Sequence, residues 1–268
     1  MDRDALRNHG YRIIDCHNHV FDVSGKLNVE KYERLLEAAC VLGIEKVCVS
    51  NPITGGCPSP EEFKAKNDVV IEAMRRDPDK ILGYAYINPG YAKEAMAEME
   101  KCINEYGMIG IKLYNQYHIS DPAIYQVIEK AIQMQALILS HAGKAMNPDS
   151  KRQQPFISDG THFAKVARVY PEATFIQGHI GGGGDWEWSI KALRGVPNVY
   201  LDTSGSVVDD GMIEMAVKEL GVERILFATD MTFEGGVGKI LGAQLTHEEK
   251  ELIFWDNFYS LLEKEGKR

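Results

Sequence analysis

The sequence predicts an α/β protein built as a single (β/α)8 TIM barrel, with residues 1–268 forming one domain. Three observations predict it. Eight short, β-rich apolar runs alternate with longer stretches of helical periodicity along the whole chain. No low-complexity linker separates them. The length and a hydrophobic content of 44% are enough for one large core. Strands and helices in alternation specify a parallel sheet, and eight strands favour a closed barrel over an open doubly wound sheet. No Gly-x-Gly-x-x-Gly follows the first strand, so the sequence signal of a dinucleotide crevice is missing.

Residues 12–17 read as the first strand, and the periodic stretch 29–42 reads as a helix that stops at Gly43. The run EKVCVSN supplies the second strand over 47–51. In the broken stretch NPITGGCPSPEE, Ser59 is placed as the cap of a helix that runs to Arg76. The strand ILGYAYIN follows, then a helix over 92–106 and the strand MIGIKLY. Asp121 and Pro122 open the next helix as N-cap and first-turn residue. ALILSH, ending at His141, is the fifth strand. The second half repeats the rhythm, with strands ATFIQGH, NVYLDTS and RILFATD between helices over 162–170, 186–193 and 212–220. A closing helix covers 248–263.

The chemistry starts in IIDCHNHVF at 13–21, where Asp15, His17 and His19 occupy every second position. Alternate side chains of a strand share one face. Two imidazoles roughly 7 Å apart along the backbone can converge on one ion, because metal–nitrogen bonds are about 2.0–2.1 Å long. The acidic neighbour can serve as a partner behind the ligands. His141, His179 and Asp230 then end the fifth, sixth and eighth strands. Singly, each reads as a satisfied buried histidine or a turn-capping aspartate. Together they fall on one rim, because the carboxyl ends of all barrel strands surround the same site.

Composition narrows the partners. A formal charge of -9 excludes broad attraction to nucleic acid or an acidic membrane surface, which leaves a small-molecule substrate, with self-association into a homo-oligomer as a further possibility. Five cysteines without a Cys-x-x-Cys pair read as small core residues rather than a disulfide framework or thiolate zinc site. MDRDALRNHGYR lacks the apolar run of a signal peptide, and no run of about 18 apolar residues marks a membrane span, so the cytoplasm is the expected location.

The arrangement resembles the amidohydrolase superfamily, in particular the amidohydrolase-related branch that includes aminocarboxymuconate semialdehyde decarboxylases, aromatic-acid decarboxylases and lactonases. The resemblance runs through IIDCHNHV, GIKLYNQ, ILSHAG, FIQGHIGGG, LDTSG, ILFATDM and WDNFYSLL, nearly the whole chain. It implies that His17, His19, His141 and Asp230 contact one catalytic divalent metal, with His179 beside the metal-bound water or the substrate. Nitrogen and carboxylate donors suit Zn²⁺ best, with Mn²⁺, Fe²⁺ and Co²⁺ as alternatives. Such an ion supplies hydroxide near neutral pH, Asp230 takes its proton, and His179 orients water, polarises a carbonyl or returns a proton.

Lys112 stands where other branches carry a carboxylated lysine bridging two metals, but GIKLYNQ is similar to the one-metal element, with Tyr114 at a position often held by histidine. Lys112 and Tyr114 are therefore expected near the substrate. The connection 142–158 is long enough for a lid, and its Lys144 and Arg152 are candidate carboxylate contacts, against a plain reading as solvated charges. Residues 181–184 let the backbone pass close to the site, and Trp186 and Trp188 wall it or anchor a helix. The expected activity is metal-dependent hydrolysis of an amide, lactone or other ester. The alternative is a metal-dependent nonoxidative decarboxylase of an aromatic or unsaturated carboxylic acid. A noncatalytic binding barrel is disfavoured because no member of the ligand constellation is missing.

Overall fold

In the computed structural model, which describes residues 9–145, 147–180 and 182–267, the eight apolar runs become eight strands. They are β1 (Ile13–His19), β2 (Ile44–Ser50), β3 (Ile81–Tyr86), β4 (Gly110–Leu113), β5 (Leu137–Ser140), β6 (Phe175–Gln177), β7 (Val199–Asp202) and β8 (Ile225–Leu226). Each pairs in parallel with the next. At the seam between β8 and β1, the Cys16 N–H donates to the Phe227 carbonyl at 3.0 Å and the Asp230 N–H to the His17 carbonyl at 3.0 Å. The fold is a (β/α)8 TIM barrel, as the alternation required.

Around the sheet stand α1 (Val29–Val41), α2 (Pro60–Arg76), α3 (Ala92–Met99), α4 (Tyr125–Gln133), α5 (Pro148–Gln153), α6 (Gly160–Val169), α7 (Trp186–Ala192), α8 (Met212–Leu220), α9 (Phe233–Gly242), α10 (His247–Glu251) and α11 (Asn257–Lys264). Ser59 caps α2 as expected, in a reciprocal box with Glu62. Helix α9 was not foreseen, because FEGGVGKILG holds four glycines, each of which weakens a helix by about 1 kcal/mol relative to alanine. Its Phe233, Val237 and Ile240 are buried against the barrel, and that burial outweighs propensity. No helix among the described residues is long and apolar enough to cross a membrane.

Strand alternation divides the core in two. Ile13, Val47, Ile111, Ile138 and Phe175 pack outward against the helices. Ile14, Cys16, Cys48, Tyr84, Leu139 and Leu226 pack inside the barrel together with Trp255, Phe258 and Leu262 of the last helical segment. Cys16, Cys48 and Cys102 are buried free thiols, whereas Cys40 and Cys57 are exposed. On β4, Ile111 and Leu113 join the outer cluster, so period-2 geometry turns Lys112 inward, where it is fully buried.

Asp15 departs from its expected place behind the histidine rings. Its carboxylate is completely buried at the β1–β8 seam, accepting from Thr229 Oγ1 at 2.5 Å, Thr229 N at 3.1 Å, Asn18 Nδ2 at 2.8 Å and His17 N at 3.2 Å. Burial pushes its pKa up to about 7, against these bonds, which favour the charged form. All four partners donate, so Asp15→Asn points an amide donor at donors. We expect it to lower the unfolding free energy by about 1–3 kcal/mol, read as a lower urea midpoint; an unchanged midpoint would mean the seam does not depend on this carboxylate.

Candidate active site

The strand ends deliver their side chains to one centre. The His17 and His19 rings meet edge to face at 5.2 Å, and the His17 and His179 rings lie 4.8 Å apart. Two turns aim the rest. His179 (φ 69°), Asp230 (φ 43°) and Met231 (φ 71°) all occupy the left-handed region, which is strained for residues with a Cβ. β6 ends at Gln177 and β8 at Leu226, short of the runs read from sequence, and beyond β8 the Ala228 N–H donates to the Thr203 hydroxyl instead of to a neighbouring strand.

His17 is fully buried. Its Nδ1 lies 2.7 Å from Asp202 Oδ2, a carboxylate behind a ring nitrogen of the kind that orients metal-binding histidines. Burial, and then the positive charge of Lys112, push its pKa down to about 4, so the ring is neutral at ordinary pH. Lys112 Nζ sits 2.5 Å from His17 Nε2 and donates to its lone pair. Burial lowers the pKa of that ammonium to about 8.

His19 links the site to Asp230. Its Nδ1 lies 3.3 Å from the Ser50 carbonyl oxygen and 3.1 Å from the Ser50 hydroxyl, which can donate to it. Its Nε2 faces Asp230 Oδ1 at 3.0 Å. With Ser50 donating to Nδ1, Nε2–H donates to this carboxylate, and the same nitrogen and oxygen are ligand atoms that could share a divalent ion. Burial opposes ionisation of Asp230, but the hydrogen bond with His19 and the other nearby imidazoles hold its carboxyl well below the usual range. One ligand atom each of His17, His19 and Asp230 lie within 4.8 Å of one another, and His17, His179 and Asp202 form a second such group. Asp202 is already occupied by His17 Nδ1, so the first group is the stronger candidate.

His141 belongs to neither group among the described residues. Its Nδ1 lies 2.9 Å from His179 Nε2, its Nε2 lies 3.3 Å from Gln154 Oε1, and Tyr114 stacks on its face at 4.3 Å. Burial, then His179, push its pKa well down. His179 Nδ1 contacts Ser204 Oγ at 2.7 Å and lies 3.6 Å from Asp230 Oδ2, and burial takes its pKa down to about 4. Burial raises the Tyr114 phenol to about 12, so it stays protonated.

A cavity of about 250 Å³ joins His19, Asp230, His141 and His179 to walls from Phe21, Asn51, Pro52, Thr54, Tyr114 and Met231. A second, of about 330 Å³, opens beneath the 142–158 connection and includes Lys144 and Gln154. Lys144 is paired with Asp185 and Arg152 with Asp149. Gly181 lies outside the described residues, but Gly183 (φ 92°) passes so close that an added Cβ would stand 2.1 Å from the Lys144 carbonyl oxygen. Trp186 donates to Asp209 at 2.8 Å, whereas Trp188 is 68% exposed beside a neighbouring cavity. Sequence reading passed over Asp202, Ser204 and Gln154. Asp202 ends β7 as His141 ends the fifth run, and that position was the available signal.

Fold and strand-end residues together define an amidohydrolase-type barrel enzyme. The family described as Amidohydrolase matches residues 14–262, and the chain belongs to it. It is 24% identical over 248 residues, 75% of this chain and 76% of the relative, to the gamma-resorcylate decarboxylase of Polaromonas sp. strain JS666. In shape it is similar to a dihydroxybenzoic acid decarboxylase from Polaromonas sp. JS666 solved with manganese and the inhibitor 2-nitroresorcinol. The TM-score is 0.76 at 17% identity, over 94% of this chain and 97% of that one. A 5-carboxyvanillate decarboxylase from Novosphingobium aromaticivorans, complexed with manganese and 4-hydroxy-3-methoxy-5-nitrobenzoic acid, gives a TM-score of 0.73 at 14% identity, over 98% and 99% of the two chains.

These relatives correct the expectation of a hydrolase acting on an amide, lactone or ester bond. The motifs could not separate the two reactions, because one set of imidazole and carboxylate donors serves both. They likewise could not select Zn²⁺ over the manganese found in two of these neighbours. Arg152 is 71% exposed in its side chain and lines none of the cavities described here. Arg152→Ala should therefore change kcat/KM by less than about threefold, in keeping with the small energies of exposed ion pairs; a loss above about tenfold would place it on the substrate.

Proposed function

We propose that this chain is a metal-dependent nonoxidative decarboxylase of a small aromatic or unsaturated carboxylic acid. The main support is a cavity of about 250 Å³ whose walls include Phe21, Pro52, Tyr114 and Met231 and which reaches His19, Asp230 and His179. The similarity to decarboxylases of aromatic acids points the same way. Lys144 and Arg152 are paired with acids of their own, so neither lid cation stands free to clamp a carboxylate.

His17, His19 and Asp230 would hold one divalent ion. His17 is neutral and fixed from behind by Asp202, and His19 Nε2 faces Asp230 Oδ1 at 3.0 Å. Imidazole and carboxylate donors accommodate Mn²⁺ or Zn²⁺. When bound, the ion would supply a Lewis acid for the substrate's anionic oxygens. Burial has already lowered the Lys112 pKa to about 8, so its charge can be lost when a second cation competes for His17. His141 stands one ring away from this trio and would approach it from the His179 side.

The reaction breaks the bond between the substrate carbon and its carboxylate. The electron pair stays on that carbon, one proton joins it there, and carbon dioxide leaves. Asp230 Oδ2 and His179 Nδ1, 3.6 Å apart, are the pair that would hold and pass this proton. The Tyr114 ring, held flat on His141, would align a planar substrate by stacking.

Turnover of an aromatic carboxylic acid in deuterated water should release carbon dioxide and leave deuterium on the carbon that carried the carboxylate. Oxygen label entering a newly formed acid from ¹⁸O water, without carbon dioxide, would overturn the assignment. Metal analysis of the purified protein should find about one divalent ion per chain, lost in His17→Ala and in Asp230→Ala. Two tightly held ions, one of them lost in Lys112→Ala, would contradict the single-ion site.

A further inference from the structure

Ser204 follows β7 and is 1% exposed, and its hydroxyl lies between two groups of the site. On one side is Asp202 Oδ1, to which Ser204 Oγ donates at 2.5 Å. On the other is His179 Nδ1 at 2.7 Å. The direction of this chain follows from proton counting. Asp202 receives His17 Nδ1 on Oδ2 and the His179 and Ser204 backbone N–H groups, each at 2.9 Å, on Oδ1. With every partner a donor, the carboxylate accepts throughout, so the single hydroxyl proton of Ser204 points at Asp202. The remaining lone pairs of Oγ can only accept from His179, which must carry its proton on Nδ1. His179 Nε2 is then a bare lone pair, facing His141 Nδ1 at 2.9 Å as acceptor.

The loop that carries Ser204 is held from outside the site. Lys239 on α9 donates from Nζ to the Thr203 carbonyl at 2.8 Å and the Gly205 carbonyl at 3.4 Å, one on each side of Ser204. Thr203 Oγ1 accepts from the Ala228 N–H at 3.1 Å, tying the same turn to the end of β8. Two carbonyls pinned by one ammonium leave the Ser204 backbone little freedom to turn its hydroxyl away.

We propose that Ser204 is a positioning residue that sets which ring nitrogen of His179 bears the proton, with Lys239 holding the turn that aims it. Its effect on turnover rests on His179 serving the reaction proposed above, but its effect on the ring does not. Removing the hydroxyl leaves His179 Nδ1 with only the distant Asp230 oxygen, so the two neutral forms of the ring become closer in energy and the ring can flip.

The test uses the zinc-loaded full chain with ¹⁵N-labelled histidine, and reads the His179 ring nitrogens by long-range ¹H–¹⁵N correlation. The wild type should show His179 protonated at Nδ1. Ser204→Ala, and Ser204→Cys, which keeps the volume but bonds weakly, should both shift the ring toward a mixture. In each, kcat should fall roughly 10–100-fold, part of the usual acid–base contribution, with KM within about threefold. Ser204→Thr should restore the Nδ1 form, and Lys239→Met should shift it partway without touching the site. An unchanged ring pattern in Ser204→Ala, or a Ser204→Thr variant as altered as Ser204→Ala, would overturn the proposal. A shifted ring with full turnover would instead keep the positioning role and remove His179 from the reaction.

Discussion

The carboxylate of Asp202 organises the site. It is fully buried, yet burial fails to neutralise it, because His17 first and then His179 and Ser204 hold its pKa below the usual carboxylate range. One oxygen orients the His17 ring and the other gathers the backbone and hydroxyl donors of His179 and Ser204. Two residues far apart in sequence, on β1 and just beyond β6, thus take their geometry from one group on β7. An unpaired buried charge would cost several kcal/mol, so these donors are as necessary to Asp202 as it is to them.

The same accounting extends across the barrel mouth. Lys112 brings a cation into a fully buried volume, and the nearby charges of Asp230 and Asp202 favour its protonated form against the burial that opposes it. His17, His141 and His179 respond by staying neutral, each pushed down chiefly by burial. Neutral imidazoles beside an ionised aspartate are the state in which a divalent ion finds free lone pairs. The electrostatics of the centre therefore favour the ligand forms of its residues, and desolvation rather than any single contact is the main cause.

The covering segments are fixed by backbone contacts more than by charge. Gly182 and Gly183 lie against the carbonyls of Ala142 and Lys144, and the Lys144 N–H donates to the Gly182 carbonyl at 2.8 Å. The turn after β6 and the start of the 142–158 connection are thus packed against each other. Gln154, at the end of α5, reaches back to His141 and links this cover to the imidazoles beneath.

The chain's own periodicities determined the barrel, because apolar spacing specifies which runs are strands and which are helices before any long-range contact forms. They also determined that His17, His19, His141, His179 and Asp230 would gather at one end, since parallel strands place all their carboxyl ends together. Strand extent was less legible: the left-handed turns at His179 and Asp230 depend on the packing that over-determines them. Tertiary structure alone decided that Asp15 would fasten the seam while Asp202 took the place behind His17, because both aspartates end apolar runs and only the closed sheet sets their distances. It alone decided that Lys112 would be buried against His17 rather than stand on the rim, and that glycine-rich α9 would form at all. Local sequence encodes direction and burial; which charge meets which imidazole depends on the register and closure of eight strands, a property of the whole sheet.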